Sequence, residues 1–229
     1  MLGAAAAPLV AAWPLLAPSR ASLVARDGLL AMAWLLVVIV AALARRGPQG
    51  RPLAVVGVTV FGAAYAGWLL SFALALRHPA PGLALSDARI GMALLVFPLA
   101  LTWLGDTSAM AAGKAIGGPK LAPVVSPNKT WAGSAAGLLT SVVASLAYAA
   151  LVFPRVGIAV AAWEALVLGV AISVAGQVGD LAESVFKREV GMKDSSSLIP
   201  GHGGVLDRLD ALYFAVPVTA LLLHVLGIA

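Results

Sequence analysis

The run WAGSAAGLLTSVVASLAYAALVF, residues 131–153, contains no charged side chain. About 20 apolar residues are needed to cross the roughly 30 Å hydrocarbon core of a bilayer as a helix. In that core the backbone must satisfy its hydrogen bonds internally, which a helix does. This stretch therefore predicts a membrane-spanning α-helix and sets the fold class for the chain around it.

Apolar runs of similar length recur on both sides of this stretch. Hydrophobic residues make up 61% of the chain and charged residues 11%, and the mean hydropathy is +0.99. Soluble domains are typically about 45–50% apolar. We place seven segments, at about 2–17, 28–44, 53–76, 88–105, 131–153, 156–179 and 209–228. The expected fold class is an all-α integral membrane protein, a polytopic helical bundle of about seven transmembrane helices.

The organisation of the chain follows from the same runs. The first apolar run has no basic region before it, so we interpret it as a membrane helix rather than a signal peptide. No linker marks a second domain, so residues 1–229 are expected to form one membrane domain, with N-terminal membrane helices in 1–50. The chain has no cysteine, which excludes disulfides and thiolate metal sites.

Basic residues are distributed unevenly between the predicted loops. Loops 1, 3 and 5 carry five Lys and Arg, whereas loops 2, 4 and 6 carry ten. The positive-inside rule therefore places the even loops in the cytoplasm, with the N-terminus inside and the C-terminus outside. The net charge of +5 does not indicate a nucleic-acid partner, because the basic residues form no long run and stand beside acids.

The acidic residues are concentrated further. Seven of the ten Asp and Glu fall in loops 4 and 6 or at the helix ends that flank them. Such side chains are costly near hydrocarbon, by roughly 2.5–3.5 kcal/mol each at a helix centre. Mixed acids and bases at helix ends on one side predict a polar site there rather than only a solvated surface.

The first region of interest is GDTSAMAAGKAIGGPKLAPVVSPNKTWAG, residues 105–133. Its lysines alternate with glycines, a composition that suits phosphate, because backbone amides approach an anion closely beside glycine. Ser126, Lys129 and Thr130 stand just before a predicted helix, whose first amides would add to an anion site. On composition alone, a cytoplasmic loop whose lysines follow the positive-inside rule explains this region equally well.

The second region is QVGDLAESVFKREVGMKD, residues 177–194. On a helix continuing from segment 6, Gln177, Asp180, Glu183, Ser184 and Lys187 share one face. Asp180 would then stand where the membrane helix emerges. The alternative is an amphipathic extension on the membrane surface with a Glu183–Lys187 ion pair, which accounts well for Glu183 and less well for Asp180.

The third region is KDSSSLIPGHGGVLDRLD, residues 193–210. Its proline and glycines predict a loop with exposed amides, and His202 within it has no assigned proton-transfer role. Asp207 and Asp210 follow at i,i+3, where two carboxylates need a cation between them. Oxygen ligands without cysteine favour Mg²⁺ over zinc, while helix capping is the alternative for one Asp. Together the three regions indicate metal-assisted phosphoryl or nucleotidyl transfer.

The third region also carries a family resemblance. The pattern from Ser184-Val185-Phe186-Lys187-Arg188 through Lys193-Asp194 to His202-Gly203-Gly204-Val205-Leu206-Asp207-Arg208-Leu209-Asp210 closely resembles the signature of the phosphatidate cytidylyltransferase (CDP-diacylglycerol synthase) family. Upstream, Gly105-Asp106-Thr107, Ser126-Pro127-Asn128-Lys129-Thr130 and Gly179-Asp180-Leu181-Ala182-Glu183-Ser184 are similar to the family as well. The resemblance covers roughly residues 53–225 and makes 53–228 the expected catalytic region.

The resemblance implies a reaction and roles for the residues that match. CTP and phosphatidic acid would give CDP-diacylglycerol and pyrophosphate at a cytoplasm-facing site of a multi-pass inner-membrane protein, as a homodimer. Mg²⁺ would be held by Asp180, Asp207 and Asp210, with a second, monovalent cation such as K⁺. The implied phosphate ligands are Lys187, Arg188, Lys193 and Arg208, and the implied substrate-binding residues are Ser126, Lys129, Thr130, Ser184, Asp194, His202, Gly203 and Gly204.

Departures from the family pattern and alternative functions accompany this interpretation. Ala132 stands where many family members have Glu, and Met110 replaces a common aromatic residue. A related CTP-dependent enzyme acting on another lipid phosphate or on a polyprenol would leave a similar pattern, while the pattern of a CDP-alcohol phosphotransferase is absent. A transporter or non-catalytic phosphate-binding membrane protein would instead place charge along a midplane pathway.

Overall fold

The computed structural model describes residues 20–45, 48–79, 88–196 and 204–228. The chain forms two compact units, Met1–Ala75 and Leu76–Ala229. The expectation of one domain over 1–229 stays a prediction. The predicted segment 2–17 lies outside the described residues.

The first unit contains apolar helices. Helix α1 spans Arg20–Arg45, and α2 spans Pro52–Ala63 after a 3₁₀ turn at Pro48–Gly50. A π-helical turn at Ala64–Trp68 joins α2 to α3, Leu69–Arg77, so that helix is continuous from Pro52 to Arg77. Pro52 suits the start of α2 because proline lacks only an N–H that would be unpaired at a first helical position.

The described residues of the second unit form four long helices, one short helix and one hairpin. Helix α4 spans Ala88–Ile116, strands β1 (Lys120–Ala122) and β2 (Ser126–Thr130) pair antiparallel, and α5 spans Trp131–Leu151. After a 3₁₀ turn at Phe153–Val156 come α6 (Ala162–Glu189), the short α7 (Leu206–Leu209) and α8 (Leu212–Val225). Helix α5 packs on α4 and α6, and α8 packs on α6 and α4.

The core of this bundle lies between these helices. Leu94, Phe97 and Leu101 of α4 and Leu168 and Ile172 of α6 are fully buried. The rings of Phe97, Tyr148 and Phe153 form a cluster with centroids 5.0–5.1 Å apart. Such aromatic pairs contribute about 0.5–1.5 kcal/mol beyond the apolar area they bury.

Interhelical hydrogen bonds and small residues bring α4, α5 and α6 close together. The Ser141 hydroxyl donates to the Leu101 carbonyl at 3.1 Å, the Ser145 hydroxyl to Ala165 at 2.6 Å, and the Tyr148 hydroxyl to Ala93 at 2.9 Å. A Cβ at Gly169 would meet Val142 Cα at 2.8 Å, so only glycine allows this approach of α5 and α6. Small and hydroxyl-bearing residues are the usual interface of helices in membranes.

Large apolar side chains cover the outside of the helices. Leu139, Val143 and Trp163 are more than half exposed, as side chains facing lipid are. Five helical stretches among the described residues are long and apolar enough to cross a membrane: Pro52–Arg77, Ala88–Ile116, Trp131–Leu151, Ala162–Glu189 and Leu206–Val225. The all-α polytopic membrane fold is thereby confirmed. The count of seven stays a prediction, since α1 contributes only the shorter apolar stretch Leu30–Ala44.

Two predicted boundaries are wrong. Segment 88–105 continues as α4 to Ile116, because residues 106–116 contain no proline and include several good helix formers. The helix ends where Gly117 and Gly118 adopt φ of 66° and 90°, values that favour glycine. Segment 156–179 begins only at Ala162, after Gly157 with φ of 77°, while its continuation to Glu189 agrees with the expected helical extension.

Candidate active site

A polar cavity of about 830 Å³ lies at one end of the second unit. It is within the usual size of ligand pockets, about 300–1,000 Å³. Four acids, four bases and four neutral polar residues line it: Asp106, Asp180, Asp207 and Asp210; Lys114, Lys120, Lys129 and Arg208; Asn128, Thr130, Ser134 and Gln177. Residues of the two regions around 106–130 and 180–210 therefore line the same polar cavity.

Helix α4 supplies Asp106 and Lys114 to this cavity. Lys114 was expected in a loop and Asp106 at the end of an apolar helix, and both lie on the helix because it extends to Ile116. Trp103 and Met110 of the same helix also line the cavity, so its wall is partly apolar. Asp106 was not among the predicted site residues, although its position at the end of an apolar run before Thr107 was a usable signal.

The hairpin carries Lys129 and Thr130 to the cavity wall. Thr130 is the N-cap of α5, and its hydroxyl oxygen accepts a hydrogen bond from the Gly133 amide at 3.1 Å. Serine and threonine are favoured at this position because they satisfy an amide that the helix leaves unpaired. The cap fixes the end of β2. The neighbouring Lys129 ammonium lies 2.5 Å from Asp180 Oδ2.

Helix α6 forms another part of the wall, with Gln177 and Asp180 in the lining. The Gln177 amide group donates to the Ser134 carbonyl and to the Ser173 hydroxyl, both at 3.3 Å, and the Ser134 hydroxyl donates to the Gln177 side-chain oxygen. Asp180 lies one turn further along the helix and accepts the Lys129 contact. Gln177 was noted for its spacing but not predicted as a site residue.

Glu183 does not lie on a solvated surface. The interpretation of Glu183 as part of an amphipathic surface extension is wrong, because only 1% of its surface is exposed. The expected Glu183–Lys187 ion pair is present, with 3.3 Å between Oε1 and Nζ. Helix α6 buries this side chain because α8 approaches closely at Gly179, where a Cβ would lie 2.7 Å from the Asp210 carbonyl oxygen.

The Asp207 carboxylate is held by four hydrogen bonds. Its Oδ1 accepts from Lys187 Nζ at 2.7 Å. Its Oδ2 accepts from the Ser195 amide at 2.9 Å, the Ser195 hydroxyl at 2.6 Å and the Gly204 amide at 2.7 Å. Asp207 therefore joins α6 to both sides of the segment that separates Ser196 from Gly204.

The other predicted site residues divide into two groups. Asp210 and Arg208 line the cavity beside Asp207. Ser126, Ser184, Lys187, Arg188, Lys193, Asp194 and Gly204 lie in the surrounding structure and do not line it. Arg188 is exposed and donates to the Val125 carbonyl at 3.5 Å and the Met192 carbonyl at 3.4 Å. His202 and Gly203 lie outside the described residues.

The donor chemistry of the cavity fits Mg²⁺. Its carboxylate oxygens are the hard ligands that Mg²⁺ prefers, and Mg²⁺ sites usually combine one or two carboxylates with substrate phosphates and water. Within residues 20–45, 48–79, 88–196 and 204–228, no three Asp, Glu or His side chains are grouped so that they could hold a metal unaided. Asp180 and Asp207 each contact a lysine ammonium, which balances the charge that a metal would otherwise neutralise.

The fold and the cavity define a polytopic helical membrane protein with acids and bases gathered at the ends of its apolar helices. The chain belongs to the Cytidylyltransferase family, whose sequence model matches residues 2–226. The resemblance seen in the signature residues is thereby confirmed.

Similar curated proteins carry the name phosphatidate cytidylyltransferase. The one from Brucella abortus biovar 1 is 46% identical over 141 residues, which is 62% of this chain and 49% of the relative. The one from Staphylococcus saprophyticus is 42% identical over 133 residues, 58% of this chain and 50% of the relative. The one from Haemophilus influenzae is 46% identical over 135 residues, 57% and 46% of the two chains. This chain spans about half the length of the curated relatives it matches.

Proposed function

We propose that this protein transfers CMP from CTP to phosphatidic acid, giving CDP-diacylglycerol and pyrophosphate. The observation that carries the proposal is the cavity, in which four carboxylates and four basic groups meet at the ends of apolar helices. A charged headgroup and a nucleotide can meet there while the acyl chains of the lipid stay against the helices. The names of the relatives support the choice of substrates.

The reaction needs a charged, oriented site more than a proton acceptor. A phosphate oxygen of the lipid attacks the α-phosphorus of CTP, the bond from that phosphorus to the bridging oxygen breaks, and pyrophosphate leaves. The attacking phosphate monoester is already largely ionised at pH 7, so no strong general base is required. Lys129, Arg208, Lys114 and Lys120 line the cavity and supply positive charge for the triphosphate and for the leaving pyrophosphate.

We assign Mg²⁺ to the carboxylates of this cavity, with Asp180, Asp207 and Asp210 as the expected ligands. Asp106 is a further candidate, because it lines the same cavity and interacts electrostatically with Asp180 and Asp210. A bound Mg²⁺ would neutralise phosphate charge and orient the in-line displacement. A monovalent cation such as K⁺ is part of the same proposal, as is a homodimer; both rest on the family resemblance.

The proposed location is the inner membrane, with the cavity facing the cytoplasm. The excess of Lys and Arg in the even loops supports this orientation, since cytoplasmic loops of membrane proteins carry the basic residues. CTP is a cytoplasmic nucleotide, so the orientation and the proposed substrate agree.

The test is CTP-dependent turnover by purified protein in detergent with Mg²⁺. Phosphatidic acid, an ether-linked lipid phosphate and a polyprenol are offered separately, and products are separated by mass spectrometry. We expect CDP-diacylglycerol from phosphatidic acid and its loss in Asp180→Asn. The matched control Glu189→Gln neutralises an exposed acid on the same helix and should keep full activity. Folded protein that binds CTP and yields no product from any acceptor would refute the enzyme proposal.

A further inference from the structure

The buried Glu183 is not used by the reaction as proposed. Its side chain is on α6, 1% exposed, and neither carboxylate oxygen has a hydrogen-bond partner among the described residues. A buried carboxylate is costly unless a charge partner compensates for the lost hydration. A purely packing role would be met at lower cost by an apolar side chain of similar volume, so the buried carboxyl group itself needs an explanation.

Lys187 provides the partner and links Glu183 to the cavity. Its Nζ lies 3.3 Å from Glu183 Oε1 and 2.7 Å from Asp207 Oδ1, and its side chain is only 18% exposed. A lysine side chain has a flexible stem of four carbons and therefore many rotamers. Contacts with two carboxyl groups restrict the Lys187 rotamers to the arrangement that reaches Asp207.

Asp207 passes this constraint to the backbone beside the cavity. With Oδ1 held by Lys187, its Oδ2 accepts the amides of Ser195 and Gly204 and the hydroxyl of Ser195. These donors come from both sides of the segment between 196 and 204. The contacts therefore form a continuous network, which runs from the buried Glu183 through Lys187 and Asp207 to Ser195 and Gly204.

We infer that Glu183 is a positioning residue, which acts through Lys187 to orient the Asp207 carboxylate and hold Ser195 and Gly204 beside the cavity. Its structural effect is independent of the reaction, whereas its effect on turnover rests on the proposed function. Substituting a residue that orients a catalytic or metal-binding group typically lowers affinity or activity by about 10–100-fold.

The first experiment compares Glu183→Gln with the wild type in two readouts. Hydrogen exchange, resolved by mass spectrometry, should show faster exchange of the Ser195 and Gly204 amides. The kcat for CDP-diacylglycerol formation should fall by about tenfold or more, with little change in the KM for CTP, because no group that contacts CTP is removed. The control Glu189→Gln makes the same substitution at an exposed position of α6 and should change neither readout.

The second experiment asks whether Glu183 acts through Lys187. If it does, adding Glu183→Gln to Lys187→Met should change amide exchange no further than Lys187→Met alone. In the double variant Asp207 loses its ammonium partner and keeps three hydrogen-bond donors, as it does in Lys187→Met alone, so the comparison stays valid if Glu183→Gln alone fails to fold. Additive effects of the two substitutions would overturn the inference and leave Glu183 with a separate role.

The outcomes separate this inference from the proposed function. Normal amide exchange and normal kcat in Glu183→Gln would overturn the inference, even if the variant melts at a lower temperature. If the wild type makes no CDP-diacylglycerol, the proposed function fails, and the exchange of the Ser195 and Gly204 amides still decides whether Glu183 positions Asp207.

Discussion

Removing the Lys129 ammonium should tighten the binding of a divalent cation to the protein without nucleotide. In the structure Lys129 Nζ lies 2.5 Å from Asp180 Oδ2, so the lysine occupies a carboxylate that we assign to Mg²⁺. A metal that binds Asp180 must compete with that ammonium. Lys129→Met keeps the length of the side chain and removes the competing charge.

The magnitude follows from the exposure of the pair. Exposed ion pairs contribute about 0.2–1 kcal/mol, while two unit charges 4 Å apart at an effective dielectric constant of 20 attract by about 4 kcal/mol. The side chains of Lys129 and Asp180 are 26% and 31% exposed, which places their pair between these limits and nearer the lower one. We take the free energy of the Lys129–Asp180 ion pair as about 1–2 kcal/mol. Its loss corresponds to about a 5–30-fold gain in metal affinity.

The assay uses Mn²⁺ as the probe, since the electron paramagnetic resonance signal of free Mn²⁺ reports binding directly. Lys114→Met is the matched control, because Lys114 lines the same cavity and forms no ion pair with an acid in the part of the chain that the structure describes. It should raise Mn²⁺ affinity less than Lys129→Met does. CTP binding should weaken in Lys129→Met, since the same ammonium is a proposed phosphate ligand.

Two results would refute this reasoning. Unchanged or weaker Mn²⁺ binding in Lys129→Met would mean that the lysine does not compete with the metal. Equal gains in Lys129→Met and Lys114→Met would mean that only the overall charge of the cavity matters, and that the contact with Asp180 has no specific role.

Further predictions concern stability, measured as the melting temperature in detergent, where about 1 kcal/mol corresponds to about 2–4 °C for a chain of this size. Gly179→Ala should lower the free energy of unfolding by about 1–3 kcal/mol, because its Cβ would lie 2.7 Å from the Asp210 carbonyl oxygen. The control is Gly62→Ala, whose Cβ would meet nothing within 4 Å. Equal melting temperatures of the two variants would contradict this prediction. Thr130→Ala should cost about 1 kcal/mol through the lost cap of α5, and Thr130→Ser should be close to wild type. A stable Thr130→Ala would show that the cap is dispensable.

Hydropathy predicted which segments form membrane-spanning helices, but it did not predict where those helices end. Segments 53–76 and 131–153 agree with Pro52–Arg77 and Trp131–Leu151 within a few residues. Helix α4 continues to Ile116, past the polar residues Asp106, Thr107 and Ser108, because the alanines and Met110 that follow are good helix formers. The hairpin was not predicted, since β1 has three residues and β2 contains proline and asparagine, which are uncommon in strands.

The candidate site was predicted best where spacing on a helix or beside a glycine loop gave the signal. Asp180, Asp207 and Asp210 were singled out in this way, and all three line the cavity. Glu183 was misinterpreted because an i,i+4 Glu–Lys pair has the same spacing on a buried face as on an exposed one. Only the packing of α8 against α6 distinguishes the two, and that contact joins residues distant in sequence.

The hydrogen bonds that join α4, α5 and α6 have a consequence for how this protein can change over generations. Ser141, Ser145 and Tyr148 all donate to backbone carbonyls, those of Leu101, Ala165 and Ala93. Every residue type has a carbonyl, so the accepting helix can exchange its side chains without losing the bond, provided that volume is kept. Substitutions should therefore accumulate more freely at the accepting positions than at the three donors on α5.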